Sequence, residues 1–335
     1  MKVVQIQKEF GLDSLKIVEC PDPVPGPGQV VLKMKAFSVN YRDLLVVNGV
    51  GQWKPSLPRV PLSDGVGIVL TTGAGVSRVR VGDRVAPIFY PKWLDGRVAS
   101  EKMGSPLGGA VADGVLAEYT LLSEESVVDV PEHLSDEEAA TLPCAAVTAW
   151  NSVVLSGRIT PGDTVVVLGT GGVSVFALHF AKFLGARVII TSSSHQKLAR
   201  AKELGAAAGV NYTATPDWPT AVMELTDGVG ADHVVDTVGN LKEALAAVRL
   251  GGTVAFVGLL AGISTDLDLV SFMGKSARVQ AVDVGSRQMF EDMNKAIRLH
   301  KLHPVVDRVF GFSELGAALK YLGEGRHLGK ICLRV

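Results

Sequence analysis

The sequence predicts an α/β chain, in which a doubly wound parallel sheet is joined to a smaller antiparallel, barrel-like β domain. Three observations carry the prediction. The apolar run at residues 165–168 reads as a buried strand, and it enters a turn containing Gly169, Gly171 and Gly172. An amphipathic segment over 175–184 leaves that turn and a second apolar strand follows at 185–191, which makes a βαβ unit of roughly 30 residues. Residues 1–124, by contrast, are short β signals broken by Pro and Gly at close spacing.

Each glycine of the turn has its own task. Gly169 allows the tight reversal, and Gly171 lets the backbone approach a pyrophosphate. Thr170, Gly172 and Val173 complete a turn whose free N–H groups, at the start of a helix, point at an anion. Ser174 stands where a third glycine would give close helix–strand packing. The alternative is a packing turn of an ordinary α/β domain.

A chain of 335 residues suggests two domains, and 47% hydrophobic against 20% charged residues allows a large core. The formal net charge is −1, from 33 basic and 34 acidic residues, with no basic block, which speaks against nucleic acid as a partner. Three scattered cysteines, Cys20, Cys144 and Cys332, do not form a disulfide framework and suit a reducing cytoplasm. The N-terminus reads as a charged strand rather than a signal peptide, and no apolar run reaches the roughly 18 residues of a membrane span.

In chain order, turns at 21–28 precede a strand at 29–36. Further short strands are expected at 66–70, 76–81 and 84–89, followed by a long unpatterned loop over 90–114 of the kind that is often functional. Ser135 with Glu138 forms a capping box that opens a helix, and 148–155 is a second helix. Beyond Gly162 strands and helices alternate. A helix at 194–204 ends at Gly205, and strands are expected at 208–212, 233–237, 252–258 and 278–284. A helix over 290–300 and a strand over 330–335 form a tail too short for a third domain, so it should return to the first.

The motifs 25–30 (Pro-Gly-Pro-Gly-Gln-Val), 40–43 (Asn-Tyr-Arg-Asp), 61–67 (Pro-Leu-Ser-Asp-Gly-Val-Gly), 81–84 (Val-Gly-Asp-Arg), 142–149 and 169–174, in this order, resemble the medium-chain dehydrogenase/reductase superfamily over essentially the whole chain. That superfamily includes zinc alcohol dehydrogenases and zinc-free quinone oxidoreductases. The resemblance implies a GroES-like catalytic domain, 1–124 and 285–335, interrupted by a Rossmann domain, 125–284, with the active site in the cleft between them. It also implies a homodimer paired through the last Rossmann strand.

The chain departs from the zinc enzymes where they hold metal. Asn40 stands at the first ligand position, Ser63 and Asp64 replace a His–Glu pair, and only Cys144 is retained. The loop 87–115 lacks the four cysteines of the structural zinc. No zinc is therefore expected, and His300 and His303 are read as solvated rather than as ligands.

For the nucleotide, the position where NAD-preferring enzymes carry an acid is Ser192, with Ser193, Ser194, His195 and Lys197 beside it. Hydroxyls and a cation suit a 2′-phosphate, so NADP(H) is favoured over NAD(H), although the same serines can simply cap a helix. The resemblance adds Tyr212 near that phosphate and Thr148 beside the nicotinamide. It adds Val238 and Gly258 at strand ends, then Val284, Gly285 and Ser286 after the last strand. Arg287 either closes over the nicotinamide or is a surface charge. The candidate catalytic residues are Asn40 and Tyr41, as donors to a developing oxyanion, and Asp43 and Asp64, as acids or as loop supports tied to Arg42 or Arg59. Trp53, Phe89, Tyr90 and Trp93 either form a flat apolar pocket or are plain packing.

The expected activity is zinc-independent hydride transfer from NADPH to a quinone or α,β-unsaturated carbonyl, with a zinc-free alcohol dehydrogenase or aldehyde reductase as the alternative. A third reading, from another class, is a dinucleotide-binding protein without turnover, resembling the crystallin-like relatives.

Overall fold

The computed structural model describes all of residues 1–335. The chain divides into two compact units, Met1–Val147 with Gly285–Val335, and Thr148–Val284. Residues 125–147, assigned on sequence to the nucleotide-binding domain, fold with the first unit.

The first unit opens with β1 (Lys2–Ile6) and β2 (Leu15–Glu19), an antiparallel pair. Then come β3 (Gln29–Val39), helix α1 (Tyr41–Val47), β4 (Asp64–Thr72), β5 (Arg84–Pro87), β6 (Tyr119–Ser123) and β7 (Val127–Asp129). The strand expected at 76–81 is a loop. The Glu124 carboxylate accepts the backbone N–H groups of Ser77 and Arg78, both at 2.7 Å, so these groups are taken up outside any ladder. Val79 still packs into the core from that loop. The capping box at Ser135 is present, with the Ser135 hydroxyl accepting the Glu138 N–H at 3.1 Å.

The second unit is a six-stranded sheet of β8 (Thr164–Val167), β9 (Arg187–Ser192), β10 (Ala208–Asn211), β11 (Ala231–Asp236), β12 (Val248–Phe256) and β13 (Arg278–Ala281). All pairings are parallel and the order is β10-β9-β8-β11-β12-β13. The winding reverses between β8 and β11, where ligands bind in open sheets of this type. Helices α2 (Gly172–Phe183) and α3 (His195–Leu204) connect the first strands. Val166, Ile189, Val234 and Val254 are fully buried, as a sheet covered on both faces requires.

The chain returns to the first unit through α4 (Arg287–His300), β14 (Val306–Gly311) and β15 (Lys330–Arg334). There β15 pairs antiparallel with β3, and the sheet runs β14-β15-β3-β4-β5-β7, with β6 on β3. No helix is long and apolar enough to cross a membrane.

His233 lies 1% exposed within β11, and burial pushes its imidazole down to about 4. The unfolded imidazole titrates near 6.5, so as pH falls below that value the unfolded chain gains a proton that the folded chain refuses. The folded state should therefore lose about 2 kcal/mol through this group between pH 7 and pH 5. Denaturant midpoints of the wild type and His233→Gln, compared across that range, check this: the difference between the two proteins should change by that amount.

Candidate active site and nucleotide turn

Three neighbouring strand ends of the first unit meet at one point. β3 finishes at Val39, while β4 and β15, antiparallel to it, begin at Asp64 and Lys330. Asn40 follows β3 directly and caps α1. Its N–H donates to Asp43 Oδ2 at 2.7 Å, while the Asp43 N–H donates to the Asn40 carbonyl at 3.0 Å. Lys330 Nζ donates to the Val39 carbonyl and to Asn40 Oδ1, each at 2.6 Å. Ser63 Oγ donates to Asp64 Oδ1 at 2.7 Å, and the Cys144 N–H reaches Asp64 Oδ2 at 3.3 Å.

This cluster is out of water. Asp43, Asp64, Ser63 and Lys330 are all buried. Burial raises Asp43 to about 6 against the lowering charge of Arg42, whose Nη2 is 3.6 Å from its carboxylate. Burial also raises Asp64, opposed by Lys330 and by the Asn40 and Ser63 side chains. Of the expected catalytic residues, Asn40, Asp43 and Asp64 are thus brought together, whereas the Tyr41 side chain is 42% exposed. Arg59 does not serve Asp43; it pairs with Asp113 at 3.0 Å.

The residues at the family's metal positions do not fit zinc. A zinc site wants deprotonated thiol, imidazole or carboxylate ligands. Asn40 Oδ1 is bonded to an ammonium, and both Asp64 oxygens accept hydrogen bonds. No group of three or more His, Cys, Asp or Glu side chains is arranged to hold a metal. His303 Nδ1 lies 2.9 Å from Glu138 Oε1, a contact within the first unit.

The loop at 90–114 supports this cluster from behind. Leu62, directly before Ser63, has φ 71, a left-handed conformation that costs a branched residue of the L series about 1 kcal/mol or more. It is held by backbone packing: a Cβ on Gly114 would stand 2.1 Å from the Leu62 carbonyl oxygen, and one on Gly108 2.7 Å from it. Arg42 Nη2 donates to the Leu107 carbonyl at 2.7 Å and its guanidinium lies 4.6 Å from the centre of the Phe89 ring. Phe89, Tyr90 and Trp93 are buried against one another, and Trp53 packs on the core.

In the second unit, Gly169 has φ 75, as the tight turn requires. Its N–H donates to Thr191 Oγ1 at 3.1 Å. Ser174 turns inward: its Oγ donates to the Leu168 carbonyl at 2.8 Å and lies 3.1 Å from Thr237 Oγ1, which donates to the same carbonyl at 2.6 Å. The serine thus ties helix to strand in place of a glycine. Gly171 is the N-cap of α2, no side chain caps that helix, and a Cβ on Gly171 would meet nothing within 4 Å. Open room over Gly171 at an uncapped helix start fits a nucleotide pyrophosphate.

The ends of β9 and β10 gather the other nucleotide candidates. The Tyr212 N–H donates to the Ser192 carbonyl at 3.1 Å, which sets Tyr212 beside Ser192, Ser193 and Ser194. Ser194 caps α3 by accepting the Lys197 N–H at 3.4 Å, and Ser192 Oγ accepts the Ser194 N–H at 3.3 Å. Capping thus uses these oxygens as acceptors and leaves their O–H groups as donors. Asp236 Oδ1 accepts the N–H groups of Val238 and Gly239, which shapes the turn after β11.

Thr148 is buried at the start of the second unit. Val284, at φ 57, is held by Asn151 Nδ2 donating to its carbonyl at 2.7 Å. In the first unit, Gly285 has no room for a side chain, since a Cβ would lie 2.6 Å from Val147 Cγ1, and Ser286 caps α4 through the Met289 N–H at 3.2 Å. Arg287 pairs with Glu125 and with Glu291, the latter at 3.5 Å, so its charge is engaged within the first unit. Lys330 was not a sequence candidate, and no local signal marks it.

Comparison with known proteins gives two family models: an alcohol dehydrogenase GroES-like domain over 26–132 and a zinc-binding dehydrogenase over 172–300. A zinc-type alcohol dehydrogenase-like protein of Schizosaccharomyces pombe is 42% identical, over 97% of this chain and 96% of its own. A protein of Sinorhizobium meliloti 1021 assigned as an alcohol dehydrogenase superposes with a TM-score of 0.92 at 39% identity, over 100% of this chain and 99% of its own. An NAD-dependent alcohol dehydrogenase also gives 0.92, at 35% identity over the whole of both chains. At 27% and 26% identity, a quinone oxidoreductase of Pseudomonas syringae and a mycobacterial protein complexed with NADPH give 0.83 and 0.84, with at least 99% of either chain covered.

Proposed function

The chain belongs to the medium-chain dehydrogenase/reductase superfamily, in its alcohol dehydrogenase-like branch, and we propose that it is a zinc-independent, NADPH-dependent reductase of quinones or α,β-unsaturated carbonyls. The observation that carries this reading is the cluster at Asn40, where the family's first metal-ligand position holds an amide whose oxygen is bonded to a buried lysine.

When bound, a reduced nicotinamide supplies hydride. The pyrophosphate would lie on the α2 N-terminus at Gly171, and the 2′-phosphate among Ser192, Ser193, Ser194 and Lys197. The rest of the chemistry is the protein's own. An enone or quinone oxygen gains charge as carbon is reduced, and a buried N–H donor stabilises that charge without a Lewis acid. Asn40 supplies the donor, and Asp43 fixes the backbone from which it projects. Ser63 holds the Asp64 carboxylate beside it. An alcohol dehydrogenase or aldehyde reductase is the second reading, favoured by the similarity to alcohol dehydrogenases at 34–42% identity. The open edge of β13 suits a homodimer, which light scattering would register as a doubled mass.

The test is cofactor oxidation after exhaustive chelation, NADPH against NADH, with 1,4-benzoquinone, an enone and an aldehyde. The proposal expects quinone or enone reduction that survives chelation and is faster with NADPH. Activity confined to alcohols and aldehydes, lost on chelation and restored by zinc, would overturn it. Tight NADPH binding with no acceptor reduced would favour a binding protein.

A further inference from the structure

Lys330 is 4% exposed, and its Nζ donates at 2.6 Å to both the Val39 carbonyl and Asn40 Oδ1. An ammonium has three donors and no acceptor, so only the oxygen end of the Asn40 amide can face it. The other end, Nδ2, is buried beside the Asp64 carboxylate and closes no ordinary hydrogen bond. A carboxylate only accepts, so the Asp64 side also demands the N–H end. Cation and anion therefore agree on one orientation of the amide. The cation at its oxygen also draws electron density away from the N–H group, which makes that group a stronger donor. Strand pairing does not need the ammonium: the Lys330 backbone N–H already bonds the Val305 carbonyl at 2.9 Å, and Ile331 to Arg334 pair with β3.

We propose that Lys330 is a positioning residue, which clamps Asn40 Oδ1 and so fixes the N–H end of the amide, with one N–H toward Asp64 and the other as donor to the substrate oxygen that gains charge. A cation of the chain's own then stands behind the donor, at a site whose residues do not fit zinc. The substrate oxygen rests on the reductase reading above; the clamp itself rests on the geometry.

The decisive variant is Asn40→Asp, which keeps an oxygen for Lys330 and removes both N–H donors. Its kcat should fall about 100-fold or more, the size of losing one oxyanion donor, and its melting temperature, read separately, should fall because the new oxygen faces the Asp64 carboxylate. Lys330→Met should lower kcat roughly 10-fold or more while KM and the NADPH dissociation constant, read by fluorescence titration, stay within about twofold. In an Asn40→Ala background, Lys330→Met should have no further effect on kcat. Lys330→Arg, which keeps the charge and donors, should recover part of the loss and serves if the Met variant does not fold. The amine is read separately by ¹⁵N NMR of labelled lysine. A pinned ammonium gives one slowly exchanging resonance, absent in Lys330→Arg and shifted in Asn40→Asp.

Wild-type kcat in Asn40→Asp, or multiplicative losses in the double variant, would overturn the proposal. If the wild type binds NADPH but reduces nothing, the reductase reading and the donor role fall together. The lysine resonance then tells whether the clamp itself survives.

Discussion

Alanine at Gly171 is expected to weaken NADPH binding about 10- to 100-fold, or ~1.4–2.8 kcal/mol, while unfolding of the free protein changes by no more than about 1 kcal/mol. The same substitution at Gly258 should instead destabilise the free protein. A Cβ on Gly171 meets nothing within 4 Å, so the free protein has room for it, and only a ligand approaching the uncapped start of α2 would collide. A Cβ on Gly258 would stand 1.7 Å from the Thr237 carbonyl oxygen and 2.2 Å from its carbon. Those atoms are backbone, and the strand ends are fastened there by the Val257 and Gly258 N–H groups on the Asp236 carbonyl, at 2.9 and 3.1 Å. Something must move, and overpacking of this severity costs about 3 kcal/mol, or roughly 4 °C in melting temperature for a chain of this size. Calorimetry with and without NADPH separates the two. If Gly171→Ala binds NADPH like the wild type, the room over the turn is not a pyrophosphate site.

That contrast shows what a single sequence carries. The glycine-rich turn was legible because its strand, turn and helix are contiguous, and each glycine answers a local backbone demand. The capping box at Ser135 was legible for the same reason. The stretch 76–81 looks like a strand because three of its six residues are valine, whereas the Glu124 carboxylate, 46 residues or more away in sequence, takes its amides. The candidate site divides likewise. Asn40, Asp43 and Asp64 are legible only through the family's motifs. Lys330, separated from Asn40 by 290 positions, reads locally as an ordinary charge at the start of a strand. Only the antiparallel pairing of β15 with β3 puts it under Asn40.

Aspartate at Ser192 should lower the ratio of NADPH to NADH affinity by about 100-fold or more, the sum of two effects of opposite sign on the two nucleotides. A carboxylate at the end of β9 repels a 2′-phosphate, weakening NADPH, and accepts a hydrogen bond from a 2′-hydroxyl, strengthening NADH. The Ser192 backbone is fixed for this, since its carbonyl accepts the Tyr212 N–H and its residue pairs with Asn211 across the sheet. Ser192 is only 2% exposed, so the variant also costs stability, which a melting curve of the free protein reads separately. Lys197→Met provides the complement. It leaves the Ser194 cap, made by the Lys197 backbone N–H, and removes the cation, so NADPH should weaken about tenfold while NADH is unchanged. The steeper loss of NADPH than of NADH affinity with added salt should shrink in that variant, because the lost contact is ionic. Equal weakening of both nucleotides in both variants would mean that the serines only cap α3, and the preference for NADPH would have to be abandoned.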